Sequence, residues 1–567
     1  MLPTTGRGPR ALSGRRAAFV LACASASALA VPARTAAQPV LGAGDDATLP
    51  ARGQMRVRGT LDLSSSASRV GGLTGAGDGR VPLGAEFSTD ALGPTQFPTL
   101  GPVRDTLRAI TGQPALGLSL GEVRVNARTS TAVAPVMVEY GIMRRLALAV
   151  TVPFVQTRTS VGIEVNPNGG SGNFGLNPLQ DQSAQTDAAA RNTAALTNLD
   201  GAITALRAQG ASAAALVAEA ERFRAGLARV YGGGANNPGA FAVPLAGSDA
   251  QAAVAQRLAA LSAQFAARGV DLDAQALPAA SRTRLGTRAF TTLLADPAIG
   301  LVAGSGLLSP LGSYPRAGLG DVDLVASLQI LDTFGGDGRD GGVRARVAPP
   351  GGVRLRSTVG AGWRFGVGRG TSPLLLFDAP PAEGASALLV RSATDVVVGR
   401  RFSASVVARL AAPVADRETL RVPDAGQPYV PAYRLRTVDR RLGREVQLEV
   451  TPRYAFTEAF ALVAQGFVRD RAAAQFSGTF TATSDESGLG EVTFDAAPLG
   501  SGTGAREARA AVGLGYSTLA GWARGRGRLP VELSYLHAWT VAATGGAVQR
   551  VATDRVSVRV YAQMFGR

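Results

Sequence analysis

The chain has 567 residues, 46% hydrophobic and 18% charged, with 71 glycines, one cysteine, one histidine and a formal net charge of +16. A single cysteine excludes a disulfide framework. Every basic residue is an arginine, and these are scattered instead of clustered, which argues against nucleic acid as a partner.

The first predicted element is a secretory signal over residues 1–37. Arg7, Arg10, Arg15 and Arg16 form a basic start, 17–31 is an apolar run too short to span a bilayer well, and Thr35-Ala36-Ala37 before Gln38 fits a small-residue cleavage site. No stop-transfer pattern follows, so removal is favoured over a retained anchor. The signal takes Cys23, Arg34 and the four arginines with it and no acid, leaving +11 on the mature chain. Beyond it no run of about eighteen apolar residues occurs, so no transmembrane helix is predicted. An exported chain of this kind is a soluble β-protein or an outer-membrane barrel.

Twelve strands are then predicted, at 53–63, within 120–140 with a break near 129–131, and at 146–157, 320–331, 353–367, 389–399, 402–412, 444–455, 459–469, 505–519, 529–541 and 554–565. Each alternates with period two. In the third, Leu146, Leu148, Val150, Val152 and Phe154 point one way and Ala147, Ala149 and Thr151 the other. Soluble strands run to about five or six residues, whereas a tilted strand crossing a bilayer needs about nine to eleven. Most of these reach the second length.

Connection lengths agree. Outer-membrane barrels have an even strand number, short periplasmic turns and long outer loops. Four of the five expected inner turns are short (141–145, 400–401, 456–458, 520–528) and 332–352 is the exception; five of the six expected outer loops are long. The expected fold is therefore all-β: an antiparallel transmembrane β-barrel of about 12 strands with a helical insertion between strands three and four. The division is 1–37 signal, 38–157 strands one to three with a long first loop, 158–317 external helical insertion, and 318–567 strands four to twelve.

The insertion, roughly 160 residues, is too long to be a plain loop. Leu196, Leu199, Ile203 and Leu206 recur at helical spacing, as do Leu216, Ala220, Phe223, Leu227 and Tyr231, and then Val254, Leu258, Leu261 and Phe265 after a cap at Ser248 or Asp249. A helical hairpin or bundle packing on itself is expected; a lid or partner surface at the barrel mouth is the alternative.

Candidates for chemistry are few. His537 shares parity with Val531, Leu533, Tyr535 and Trp539, a lipid-facing set, and Ser534 has the opposite parity, so no hydrolytic arrangement forms and no enzyme is expected. Asp321 and Asp323, and Glu445 and Glu449, lie on polar faces, and Arg354, Arg356 and Arg364 on the fifth strand are the expected partners of the aspartates. These seven are candidates for lining a permeation path, because charge rings select solutes. Residues 169–173 and Gly366, Gly368 and Gly370 read as loops, so neither a metal nor a cofactor is expected.

The string Tyr140-Gly141-Ile142-Met143-Arg144-Arg145-Leu146, the strand end Thr151-Val152-Pro153-Phe154 and the strand start Gly318-Leu319-Gly320-Asp321-Val322 together resemble the phenol-degradation meta-pathway family of outer-membrane barrels, loosely called transporters. The resemblance covers mainly strands two to four. It implies uptake of aromatic or other hydrophobic small molecules and assigns no residue a role. Passive transport of small solutes across a Gram-negative-type outer membrane is the expected function, with the lipid, the barrel-assembly machinery and the solute as partners. Tyr561 and Phe565 would serve the assembly signal near the C-terminus. The alternative is a barrel with a closed lumen whose helical loop binds an envelope or extracellular partner.

Overall fold

The computed structural model describes residues 45–563 apart from 71–79, 171, 181–183, 233–240, 297–299, 303–308, 335–351, 400, 425, 488–489, 524–528 and 546–547. The expected signal, most of the 332–352 connection and Phe565 lie outside the described residues.

Period-two alternation becomes twelve long strands: β1 (Gln54–Ser66), β2 (Val123–Met143), β3 (Leu146–Val165), β4 (Val322–Asp332), β5 (Val353–Phe365), β6 (Ala387–Val398), β7 (Phe402–Pro413), β8 (Glu445–Ala455), β9 (Phe460–Arg471), β10 (Ala505–Ser517), β11 (Val531–Thr544) and β12 (Ala552–Gln563). Each pairs antiparallel with its neighbours in sequence, and β1 pairs with β12, so the sheet closes into a barrel. Closure leaves no edge strand to seek another chain.

The two faces follow the sequence pattern. Leu148, Val150 and Phe154 of β3, Val446, Leu448 and Val450 of β8, and Leu533, Tyr535 and Trp539 of β11 are exposed on the outer wall, while Ala147 and Ala149 are buried inside. The same apolar exposure recurs on every strand from β1 to β12. A continuous apolar belt is what a bilayer covers, and soluble monomers do not expose one of this extent. Among the described residues no helix is long and apolar enough to cross a membrane.

Short connections, among them Arg144-Arg145 and 456–459, gather at one end, which also carries the start of β1 and the end of β12. Apart from the connection between β4 and β5, which joins strand ends on the short-turn side, long ones gather at the other end. There α1 (Gly101–Thr111) lies between β1 and β2, and α2 (Gln185–Arg207), α3 (Ala214–Tyr231), α4 (Asp249–Ala266) and α5 (Thr287–Leu294) lie between β3 and β4. The helical stripes bury Leu199, Ile203, Phe223, Leu227, Leu258 and Phe265 against one another, each large side chain contributing about 1.5–3 kcal/mol. Ser248 caps α4, its Oγ accepting from Gln251 N at 3.2 Å.

This core is wider than a self-contained bundle. It takes in α1, Val123 and Val125 on the inner face of β2, and Phe377 and Tyr429 from the connections after β5 and β7. Tyr429 is fully buried, donates to Phe87 O at 2.7 Å, and stacks edge-on against Phe87 and Phe97. The helices and outer loops are therefore one cap continuous with the barrel end.

The expected break at 129–131 is absent, because β2 runs unbroken there in register with β3. The interruption lies beside Pro135, where the ladder to β1 passes from Gly59–Val136 to Asp62–Val133; proline has no N–H to give. Pro135 faces Pro153 of β3, and Pro153 O accepts from Gly320 N at 2.7 Å. A Cβ on Gly320 would fall 2.7 Å from Pro153 Cγ. The Pro-Phe and Gly-Leu-Gly-Asp strings thus meet in space, and glycine is required for their approach.

Candidate functional site

The inner wall is lined by charge. Burying a lone ion is costly, so a polar lumen must be assembled from mutually satisfied sets. Arg555 pairs with Asp62, donating to Oδ2 at 2.8 Å; Glu507 takes Arg469 at 3.0 Å and also Arg509; Arg56 pairs with Glu139. Glu449, wholly buried, accepts from Arg409 at 2.9 Å, Gln465 at 2.8 Å and Thr451 at 3.2 Å.

Inside this wall lies the chain's own N-terminal segment. Residues 45–50 are all buried, and they run to Ala51 and Pro50 at the turn end before Gly53, at φ 75°, reverses the chain into β1. Asp45 pairs with Arg58 of β1, with Arg391 of β6 at 3.3 Å and with Arg409 of β7 at 2.8 Å. In a ring of twelve, β1 and β7 are opposite walls, so this one carboxylate bridges the lumen. Asp46 takes Arg559 of β12 at 2.7 Å and Arg56 at 3.7 Å, Ala47 N donates to Asp395 at 3.0 Å, and Thr48 accepts from Arg56 at 2.7 Å. Gly141 is needed here: Ala51 O and Pro50 O lie 2.1 and 2.5 Å from where its Cβ would be.

The seven residues singled out by sequence are only partly brought together. Asp323 and Arg364 form a two-pronged pair at 2.7 and 2.9 Å. Arg356 pairs with Asp332 at 3.3 Å instead of with an aspartate at 321 or 323, and covers the Phe334 ring at 4.3 Å. The reason is register: running antiparallel, β5 sets Arg364 beside Asp323 and Arg356 beside Asp332. Arg354 donates to Phe334 O at 2.5 Å, and Asp321, just before β4, accepts from Gly368 N at 3.1 Å and Glu383 N at 3.3 Å. Glu445 lies 3.9 Å from Arg469, apart from Glu449 and its partners. His537 is on the outer wall, with Nδ1 2.8 Å from Asp554 Oδ1, which also accepts from Tyr535 at 2.7 Å.

There are three cavities to consider, two within the barrel and one among its outer connections. One of about 390 Å³ lies among the outer loops at the helix-bearing end, and one of about 140 Å³ in mid-lumen is bounded by Asp45, Arg58, Asp323, Arg364, Arg391 and Arg409. The third, about 770 Å³, opens at the turn end and is bounded by Asp46, Thr48, Arg58, Asp395 and Arg559. Residues 45–50 stand between the second and third. Buried Arg391 Nε, Arg409 Nη1 and Gln447 Oε1 have no hydrogen-bond partner among the described residues, and their side chains line the middle cavity.

The fold and its lining define a twelve-stranded transmembrane β-barrel with a charged lumen occupied by its own N-terminal segment. No family model matches the chain, and no curated protein does. Among solved structures it is similar to the COG4313 outer membrane channel from Pseudomonas putida F1 (9% identity, 91% of this chain and 97% of that one, TM-score 0.36). It is also similar to a Pseudomonas aeruginosa FadL homologue (9%, 95% and 100%, 0.27) and to the transport unit of the autotransporter AIDA-I from Escherichia coli (5%, 89% and 90%, 0.27).

Proposed function

We propose that the chain is a Gram-negative-type outer-membrane barrel for the passive movement of small solutes, hydrophobic or aromatic ones among them. The observation that carries this reading is a mid-lumen cavity and a turn-end cavity within one closed barrel, with a six-residue segment that belongs to no strand between them. The short-turn end, with the start of β1 and the end of β12, is the periplasmic side and the helical cap is outside. Apolar walls in the outer cavity suit the non-polar part of a solute, and the unpartnered arginine and glutamine atoms suit a polar group passing mid-lumen. The candidate residues Asp323 and Arg364 line that middle passage, and Glu445 bounds it, while Arg356 lines the periplasmic cavity.

The test is solute entry into liposomes containing the folded barrel, with and without residues 45–50. Permeation that rises on removing the segment supports the reading. A folded barrel that passes no small solute in either form overturns it. One observation favours the closed-lumen alternative, the Asp45 bridge between opposite walls, and that same failure to permeate would select it.

A further inference from the structure

The outer cavity is assembled from four connections: Phe87 from the one after β1, Leu376 from the one after β5, Arg421 and Val430 from the one after β7, and Leu499 from the one after β9. Its walls are largely apolar, yet five carboxylates also line it. Each already has a cation. Glu86 pairs with Arg69 at 3.0 Å, Glu383 with Arg471 at 2.5 Å and Asp424 with Arg434 at 2.6 Å, while Asp378 and Glu418 are in close contact with Arg316 and Arg440.

Arg421 stands apart. Among the described residues it is the one arginine lining the cavity with no carboxylate within ion-pair distance. Its Nε, Nη1 and Nη2 donate to the carbonyls of Pro373 at 2.8 Å, Val430 at 2.8 Å and Leu374 at 3.2 Å, and only 8% of the residue is exposed. Carbonyls fix the guanidinium plane without cancelling its charge, and two of its five N–H groups are left over. Burial pushes Arg421 down to about 10, so it remains a cation at neutral pH. A rigidly held planar cation at the side of an apolar cavity is the arrangement that recognises a carboxylate on a hydrocarbon body.

We propose that this cavity binds a small apolar monocarboxylate, aromatic or short aliphatic, with its carboxylate on Arg421 and its hydrocarbon against the apolar wall. As the entry site of the transport route it rests on the function proposed above, but the binding itself does not.

The experiment is calorimetric titration of the full-length folded barrel in detergent with benzoate, benzamide and benzylamine, three ligands of one shape and different charge. Benzoate is expected to bind about tenfold or more tightly than benzamide. Arg421→Gln should erase that preference with benzamide affinity unchanged, and Arg421→Lys should keep part of it. Equal affinity of the native protein for benzoate and benzamide overturns the proposal, as does tighter binding of benzylamine or a preference that survives in R421Q. Should R421Q not fold, the three-ligand comparison on the native protein decides alone. A benzoate preference in a barrel that passes no solute sinks the transport reading and leaves the site; permeation without the preference sinks the site alone.

Discussion

Replacing Asp45 by Asn removes the charge that bridges the lumen and little else. Asp45 is 4% exposed and is the only acid within ion-pair distance of Arg58 and Arg391 among the described residues, whereas Arg409 keeps Glu449 at 2.9 Å. Breaking a buried ionic set by taking away one partner costs about 3–5 kcal/mol. With Arg409 still paired, the lower figure applies, and about 3 kcal/mol is roughly two decades in the docking equilibrium of the segment. Asp46 on Arg559 and Ala47 on Asp395 still hold it, so D45N should dock mostly, but release about a hundred times more often. Single-channel recording in planar bilayers would show this as more frequent openings. Labelling of a cysteine placed at Leu49, in protein whose Cys23 is replaced by serine, would show it as faster reaction with a membrane-impermeant thiol reagent. Openings and labelling rates equal to those of the Asp45 protein would refute the bridge as what shuts the lumen.

Gly141→Val should act on the same segment by another cause. Its first side-chain carbon would overlap Ala51 O and Pro50 O, so openings should rise with the barrel still migrating as a folded, heat-modifiable band. Arg364→Gln should leave Asp323 unbalanced and shift the reversal potential in a salt gradient toward cation preference, with D323N shifting it the opposite way. Tyr429→Phe orphans the Phe87 carbonyl at the centre of the cap, at about 1–3 kcal/mol, and should speed limited proteolysis of the connections after β1 and β7 while the barrel core resists.

The barrel was legible because its signal is local. Period two, read over about ten residues, tells which side chains of β3 or β11 face lipid, and nothing elsewhere in the chain changes that. The helical stripes of α2 to α4 were legible for the same reason. Their absorption into a common cap with Phe87 and Tyr429 was not, because those contacts join residues hundreds of positions apart. The pairing of Arg364 with Asp323 followed from adjacency of β4 and β5, but the fate of Arg356 depended on a register that hydrophobic pattern leaves open by steps of two.

Only a long-range balance could have revealed the segment in the lumen. Arg58 and Arg391 sit at inward positions where no strand acid among the described residues comes within ion-pair distance, with Glu139 taken by Arg56, and a wall of closed sets should not leave inward arginines over. The missing acids had to come from something other than a strand, and Asp45 and Asp46, just ahead of β1, supply them. The inward surplus of arginine therefore does two things in one place. It holds the segment by Asp45 and Asp46, and under the transport function proposed above it would present an anion-favouring surface if the segment left, so opening this barrel would also set the sign of the charge it prefers to pass.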